Sequence, residues 1–133
     1  MPGLVLAIAR PDVDFVLIEP MERRVAWLNE QVAELGLGNV SVVRDRAEDA
    51  RLTEPLDQVT ARAVSAFRKL IPLTAPLLRA GGELVLMKGS GAPAEVEAAS
   101  KEIRKYGVHD VEVLTLGEGV LEDVTRVIRA QVR

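Results

Sequence analysis

The chain of 133 residues contains no cysteine. Disulfides, thiolate nucleophiles and cysteine-ligated metals are therefore excluded. A single histidine, His109, leaves little basis for a histidine-based metal centre or a Ser-His-Asp triad, and no metal site is expected. Aromatic residues are scarce as well: Phe15, Trp27, Phe67 and Tyr106 offer no stacking platform for single-stranded RNA. The net charge of −3 argues against broad, non-specific attraction to nucleic acid, although 17 Lys and Arg still permit a local basic face. No apolar run approaches the ~20 residues of a membrane span. No signal peptide is visible, and the expected compartment is the cytoplasm.

What remains is an ordinary globular mixture, 48% hydrophobic and 28% charged, of a length that fits one domain with a real core. The most informative stretch is Asp14-Phe15-Val16-Leu17-Ile18-Glu19-Pro20. Four apolar residues in a row suit a strand buried on both faces of a parallel sheet, and a proline stops it. In such sheets ligands bind beyond the carboxyl ends of the strands. Glu19 stands at that end. Its two oxygens can take two ribose hydroxyls of a nucleoside cofactor. It can equally be a strand-end or helix-capping acid, because a helix opens directly after it with Glu22 in its first turn.

The rest of the chain alternates. Pro2 to Ala9 read as a helix, apolar nearly all round and hence expected to be buried. Met21 to Leu35 form an amphipathic helix, with Val25, Leu28, Val32 and Leu35 on one face and Gly36 and Gly38 as its stop. Strands follow at Val40 to Val43 and Leu56 to Ala61. Phe67 to Leu78 predict a helix broken by Pro72 and Pro76. Gly81-Gly82 turn into a strand at Glu83 to Met87, and Pro93 to Tyr106 predict one helix. Val111 to Leu116 and Thr125 to Val132 predict two antiparallel strands. The pattern is an α/β doubly wound sheet ending in a hairpin, a single domain over residues 1–133.

Several segments together resemble the class I, S-adenosylmethionine-dependent methyltransferases (a Rossmann-like fold). Leu77-Leu78-Arg79-Ala80-Gly81-Gly82-Glu83-Leu84-Val85 is similar to their Gly-Gly turn before the fifth strand. More narrowly, the chain resembles the bacterial small-subunit (16S) ribosomal RNA guanine-N7 methyltransferases, the glucose-inhibited division protein B family. The matching pieces are Pro2-Gly3-Leu4, Arg10-Pro11, Arg23-Arg24-Val25, Arg46-Ala47-Glu48, Ala61-Arg62-Ala63 and Met87-Lys88-Gly89. They keep their order from residue 2 to about residue 90, and the remainder matches in layout. The resemblance implies that the family's first strand and glycine-rich loop would lie before Pro2. The chain is thus expected to be an N-terminally truncated fragment, a misplaced start or a damaged copy being the alternatives, with its sheet opened in the middle and cofactor bound weakly or not at all.

The resemblance also implies roles. Glu19 would bind the cofactor ribose, in agreement with its strand-end position. Ala47 and Glu48 would hold the adenine, the alternative being a solvated turn. Arg62 would sit beside cofactor or target base, where a planar fork can clamp a carboxylate or phosphate; the alternative is a surface salt bridge. Met1 would border the missing loop and is counted with the cofactor-binding residues. Arg23, Arg24 and Lys88 are candidate RNA contacts, although exposed helix charges are the commoner origin of the first two. His109 is read as structural or exposed, and Trp27 as packing. Methyl transfer to guanine N7 removes no proton, so no general base is required and no catalytic residue is assigned. The implied partner is 16S ribosomal RNA in a small-subunit particle, with no membrane, and the expected state is a monomer. A small-molecule methyltransferase and a non-catalytic remnant of the fold are the competing readings.

Overall fold

The structure, a computed structural model, describes residues 2–62, 65–89, 91–120 and 122–133, with Pro2 described by its backbone alone. The chain divides into two compact units, Met1–Arg51 and Leu52–Arg133.

The first unit holds α1 (Pro2–Ala9), β1 (Phe15–Ile18), α2 (Glu22–Leu35) and β2 (Val40–Val43). β1 and β2 pair in parallel, from Phe15 opposite Val40 to Ile18 opposite Val43. α2 is the crossover that a parallel pair requires. It stops at Gly36, whose φ of +64° suits a residue without a side chain. There the Gly36 amide donates to the Ala33 carbonyl and the Leu37 amide to the Val32 carbonyl, so two orphan carbonyls are satisfied. Leu4, Leu17 and Leu28 form the core, with Val32, Leu37, Val40 and Val42 packed against it.

α1 departs from the expectation of full burial. Leu4 and Ala7 are buried, whereas Val5, Leu6 and Ile8 are exposed. A helix laid on one small sheet can bury only one stripe, whatever its composition. The chain between α1 and β1 is fixed by Asn39, whose amide nitrogen lies 3.2 Å from the carbonyls of Ala7 and Arg10 and 2.9 Å from that of Val13. Two N–H groups serve three acceptors, two at a time.

The second unit holds β3 (Leu56–Arg62), α3 (Phe67–Thr74), a 3-10 turn (Ala75–Leu77), β4 (Leu78–Lys88), α4 (Ala92–Ala98), α5 (Ser100–Lys105), β5 (Val108–Leu116) and β6 (Thr125–Val132). Its sheet runs β3-β4-β6-β5, with β3 and β4 parallel and β6 antiparallel to both neighbours. Phe67, Ile71, Leu84, Leu86 and Ile128 are fully buried at its centre.

The expected broken helix is α3, ending at Thr74, followed by a 3-10 turn that contains Pro76. The single helix expected over Pro93 to Tyr106 is instead two. They part at Ala99, whose backbone leaves helical geometry while its methyl is wholly buried. β4 is longer than expected because it continues through the glycines. Leu56 faces Leu78, but Gln58 faces Glu83, so the four residues between bulge out of the ladder. Gly81 takes φ +79° there. β5 likewise starts early, crossing an irregularity between His109 and Glu112 where Asp110 has φ +51°.

Among the described residues six strands form two sheets, one of two strands and one of four.

Candidate functional site

In the first unit, the parallel register brings β1 and β2 to the same level, Ile18 against Val43. Glu19 follows Ile18 directly, and its amide extends the ladder to the Val43 carbonyl at 3.0 Å. The residue is 7% exposed, unusual for a carboxylate. Pro20 and the opening of α2 explain its pose. Met21, at the cap position of α2, has no capping side chain. Glu19 Oε1 accepts the Met21 N–H at 3.2 Å, so a negative charge meets the positive end of the helix. Arg24 approaches the same oxygen at 3.9 Å from a largely exposed position, a weak contact. Glu19 Oε2 has no hydrogen-bond partner among the described residues.

Ala47 and Glu48 lie in the turn that follows β2, at the same end of this sheet. The turn is closed by Asp49 N–H on the Arg46 carbonyl at 3.0 Å and Ala50 N–H on the Ala47 carbonyl at 3.4 Å. Ala47 is half-buried and Glu48 exposed. Arg23 is exposed on α2 without an ion-pair partner among the described residues. Trp27 is 52% exposed, so it contributes less packing than expected.

In the second unit, Arg62 ends β3 opposite Met87. It is exposed, and no carboxylate pairs with it among the described residues. Lys88 is placed otherwise than as a surface RNA contact. Its side chain is 4% exposed, with Nζ 2.8 Å from Glu95 Oε1 and donating to the Ser65 carbonyl at 2.7 Å. Glu95 and Ser65 were not singled out by the sequence. Met1 and Ala63 lie outside the described residues. His109 is partly exposed beside Asp110 at 3.0 Å.

Among the described residues no group of His, Asp and Glu is arranged to hold a metal ion, and no helix is long and apolar enough to cross a membrane. A further polar cluster joins three strands: Glu83 takes Arg129 Nε at 2.6 Å on one oxygen and Gln58 Nε2 at 2.6 Å on the other. Partial burial pushes the Glu83 carboxyl up, but the hydrogen bonds from Arg129 and Gln58 outweigh it, and the net shift is downward.

A parallel pair joined by a helix, and a second parallel pair whose sheet ends in a hairpin with one reversed strand, β6, are the parts of the class I methyltransferase fold. The structure is similar to a methyltransferase from Pyrococcus furiosus, with a TM-score of 0.70 at 12% identity over 96% of this chain and 68% of that one. It is also similar to M. jannaschii TYW2, solved in complex with AdoMet, with a TM-score of 0.65 at 20% identity over 88% of this chain and 56% of that one. The chain belongs to the family described as rRNA small subunit methyltransferase G, whose model matches residues 1–125. Relatives named ribosomal RNA small subunit methyltransferase G include one from Leifsonia xyli subsp. xyli, 77% identical over all of this chain and 64% of its own length. Another, from Clavibacter michiganensis subsp. michiganensis, is 75% identical over 99% of this chain and 63% of its own length. The chain thus spans just under two thirds of these relatives.

Proposed function

We propose that the protein is an S-adenosylmethionine-dependent methyltransferase acting on N7 of a guanine in 16S ribosomal RNA, within a small-subunit particle. We take it to work in the cytoplasm as a monomer, and its two units to be parts of one methyltransferase domain. Family membership supports the reading. The observation that carries it is Glu19: a nearly buried carboxylate just past a parallel strand, one oxygen on the amide of Met21 at the cap of the next helix and the other unpartnered among the described residues. That acceptor fits a nucleoside. A ribose diol offers two O–H donors and needs an acceptor fixed in place.

The bound cofactor would supply a methyl group on a sulfonium, an electrophile ready for displacement. The chain's own residues then bind and orient. Glu19 accepts from the ribose hydroxyls. The half-buried turn at Ala47, with Glu48 beside it, flanks the adenine. Arg62, unpaired among the described residues, is available to a carboxylate or phosphate. Guanine N7 attacks through its lone pair and loses no proton, so no side chain has to act as a base. Positioning alone can supply roughly 7–11 kcal/mol.

The test is methyl incorporation from labelled cofactor by the complete gene product. Small-subunit particles, purified ribosomal RNA and a metabolite pool are offered separately. Label should enter particles best. Label confined to the metabolite pool would replace this reading with a small-molecule methyltransferase.

A further inference from the structure

One buried ammonium ties three segments of the second unit together. Lys88 is the last residue of β4, and its Nζ donates to the Ser65 carbonyl at 2.7 Å and forms an ion pair with Glu95 Oε1 at 2.8 Å. Glu95 comes from the first turn of α4. The same Oε1 accepts the N–H of Phe67, the first residue of α3, at 3.2 Å. α3 needs this contact from outside. Its own cap position is Ala66, which offers no side-chain acceptor. A carboxylate from a neighbouring helix therefore satisfies an orphan amide and meets the positive end of the α3 dipole. Lys88 in turn fixes that carboxylate. The cluster sits where β3 and β4 end together, since Arg62 faces Met87 and Lys88 comes next.

We propose that Lys88 is a positioning residue and not an RNA contact. With Glu95 it latches Ser65 and the N-terminus of α3 to the end of β4. Its consequence for catalysis rests on the methyltransferase reading; the latch itself does not. An ammonium with two close acceptors and 4% exposure has little to offer a phosphate. A pair that served only stability could be exchanged for apolar side chains of similar size at little cost. A positioning pair exchanged in that way keeps stability but not function, because its directed hydrogen bonds to Ser65 and Phe67 are lost with it.

The experiment compares the complete gene product with Lys88→Met, Glu95→Leu and the double variant. Three readouts are taken: hydrogen exchange at the Phe67 amide, thermal midpoint, and kcat and KM for small-subunit particles at several salt concentrations. The double variant should recover most of the stability lost by the single ones. Phe67 should nevertheless exchange about tenfold or more faster, and kcat should fall about tenfold to a hundredfold. KM and its salt dependence should stay within about twofold of the wild type. A raised KM with a shallower salt dependence, and unchanged Phe67 exchange, would make Lys88 a phosphate contact and overturn the proposal. So would a double variant with wild-type kcat, which would leave the pair a purely structural role. If the wild type methylates no RNA, the methyltransferase reading fails, and Phe67 exchange alone decides the latch: an unchanged rate refutes it.

Discussion

At the scale of single residues, Glu19 has two tasks. It caps α2 through the Met21 amide, and in the proposed function it receives the ribose. The two can be separated. Glu19→Ala removes both, whereas Glu19→Gln keeps an acceptor for Met21 while giving up the charge. A hydrogen bond to a charged group contributes about 1.5–3 kcal/mol. Calorimetry on the complete gene product should therefore show cofactor affinity weakened roughly tenfold to a hundredfold in Glu19→Ala. Glu19→Gln should weaken it too, with the smaller loss of thermal stability. Unchanged affinity in both would remove Glu19 from the site. Glu19 was legible in the sequence because an apolar run, an acid and a proline fix strand, end and turn within seven residues. The environment of Lys88 was not. Its register at a strand end could be read, but Glu95, which pairs with it, reaches Phe67 across a separation of 28 residues, and no local pattern announces that. Asn39 escaped notice for the same reason, its three acceptors lying 26 to 32 positions away.

Among the elements, β4 shows most clearly how sequence and tertiary structure divide the work. Gly81-Gly82 predicted a turn before the strand, whereas the strand absorbs them as a bulge. Both readings use the same backbone freedom, and only the partner strand decides between them. A Cβ on Gly82 would lie 2.9 Å from the Arg79 carbonyl oxygen and 3.1 Å from Leu78 Cβ. Neither can yield without moving backbone, so Gly82→Ala should destabilise by about 1–3 kcal/mol. At Gly38 nothing lies within 4 Å, and Gly38→Ala is the control expected to be neutral or better. Thermal unfolding of both variants checks the contrast. The strands β3, β4 and β6 also share Glu83, held by Gln58 and Arg129. Its carboxyl is lowered from the ordinary 4.5 in the folded chain. The stabilisation is then complete above about pH 4.5 and is lost as the pH falls through the lowered folded value. The thermal midpoint should drop on acidification in that window, and Glu83→Gln should flatten the drop. An identical pH profile in the variant would deny Glu83 that role. Elsewhere the boundaries of β1, β2 and β6 followed from apolar runs and turns alone. Ala99, where α4 gives way to α5, carried no breaker signal, because the break comes from packing a small methyl in the core.

For the whole molecule, the two sheets and two cores account for the chain as pieces of one fold class, and the family match runs through both units. The scarcity of aromatics and the net charge of −3 bear on the proposed substrate. A surface so poor in stacking groups suits recognition of a folded RNA–protein particle by a few local cations better than capture of free single strands. The central claim is that Glu19 holds the cofactor for methyl transfer to a guanine N7 in the small subunit. It is tested most directly by mapping labelled methyl groups to individual bases in 16S RNA, after incubating small-subunit particles with the complete gene product or its Glu19→Ala variant. The account predicts label on N7 of a guanine in the particle RNA, with most of it lost in the variant at limiting cofactor. Equal labelling by the variant at limiting cofactor, label on another atom, or no label at all despite measurable cofactor binding would contradict it.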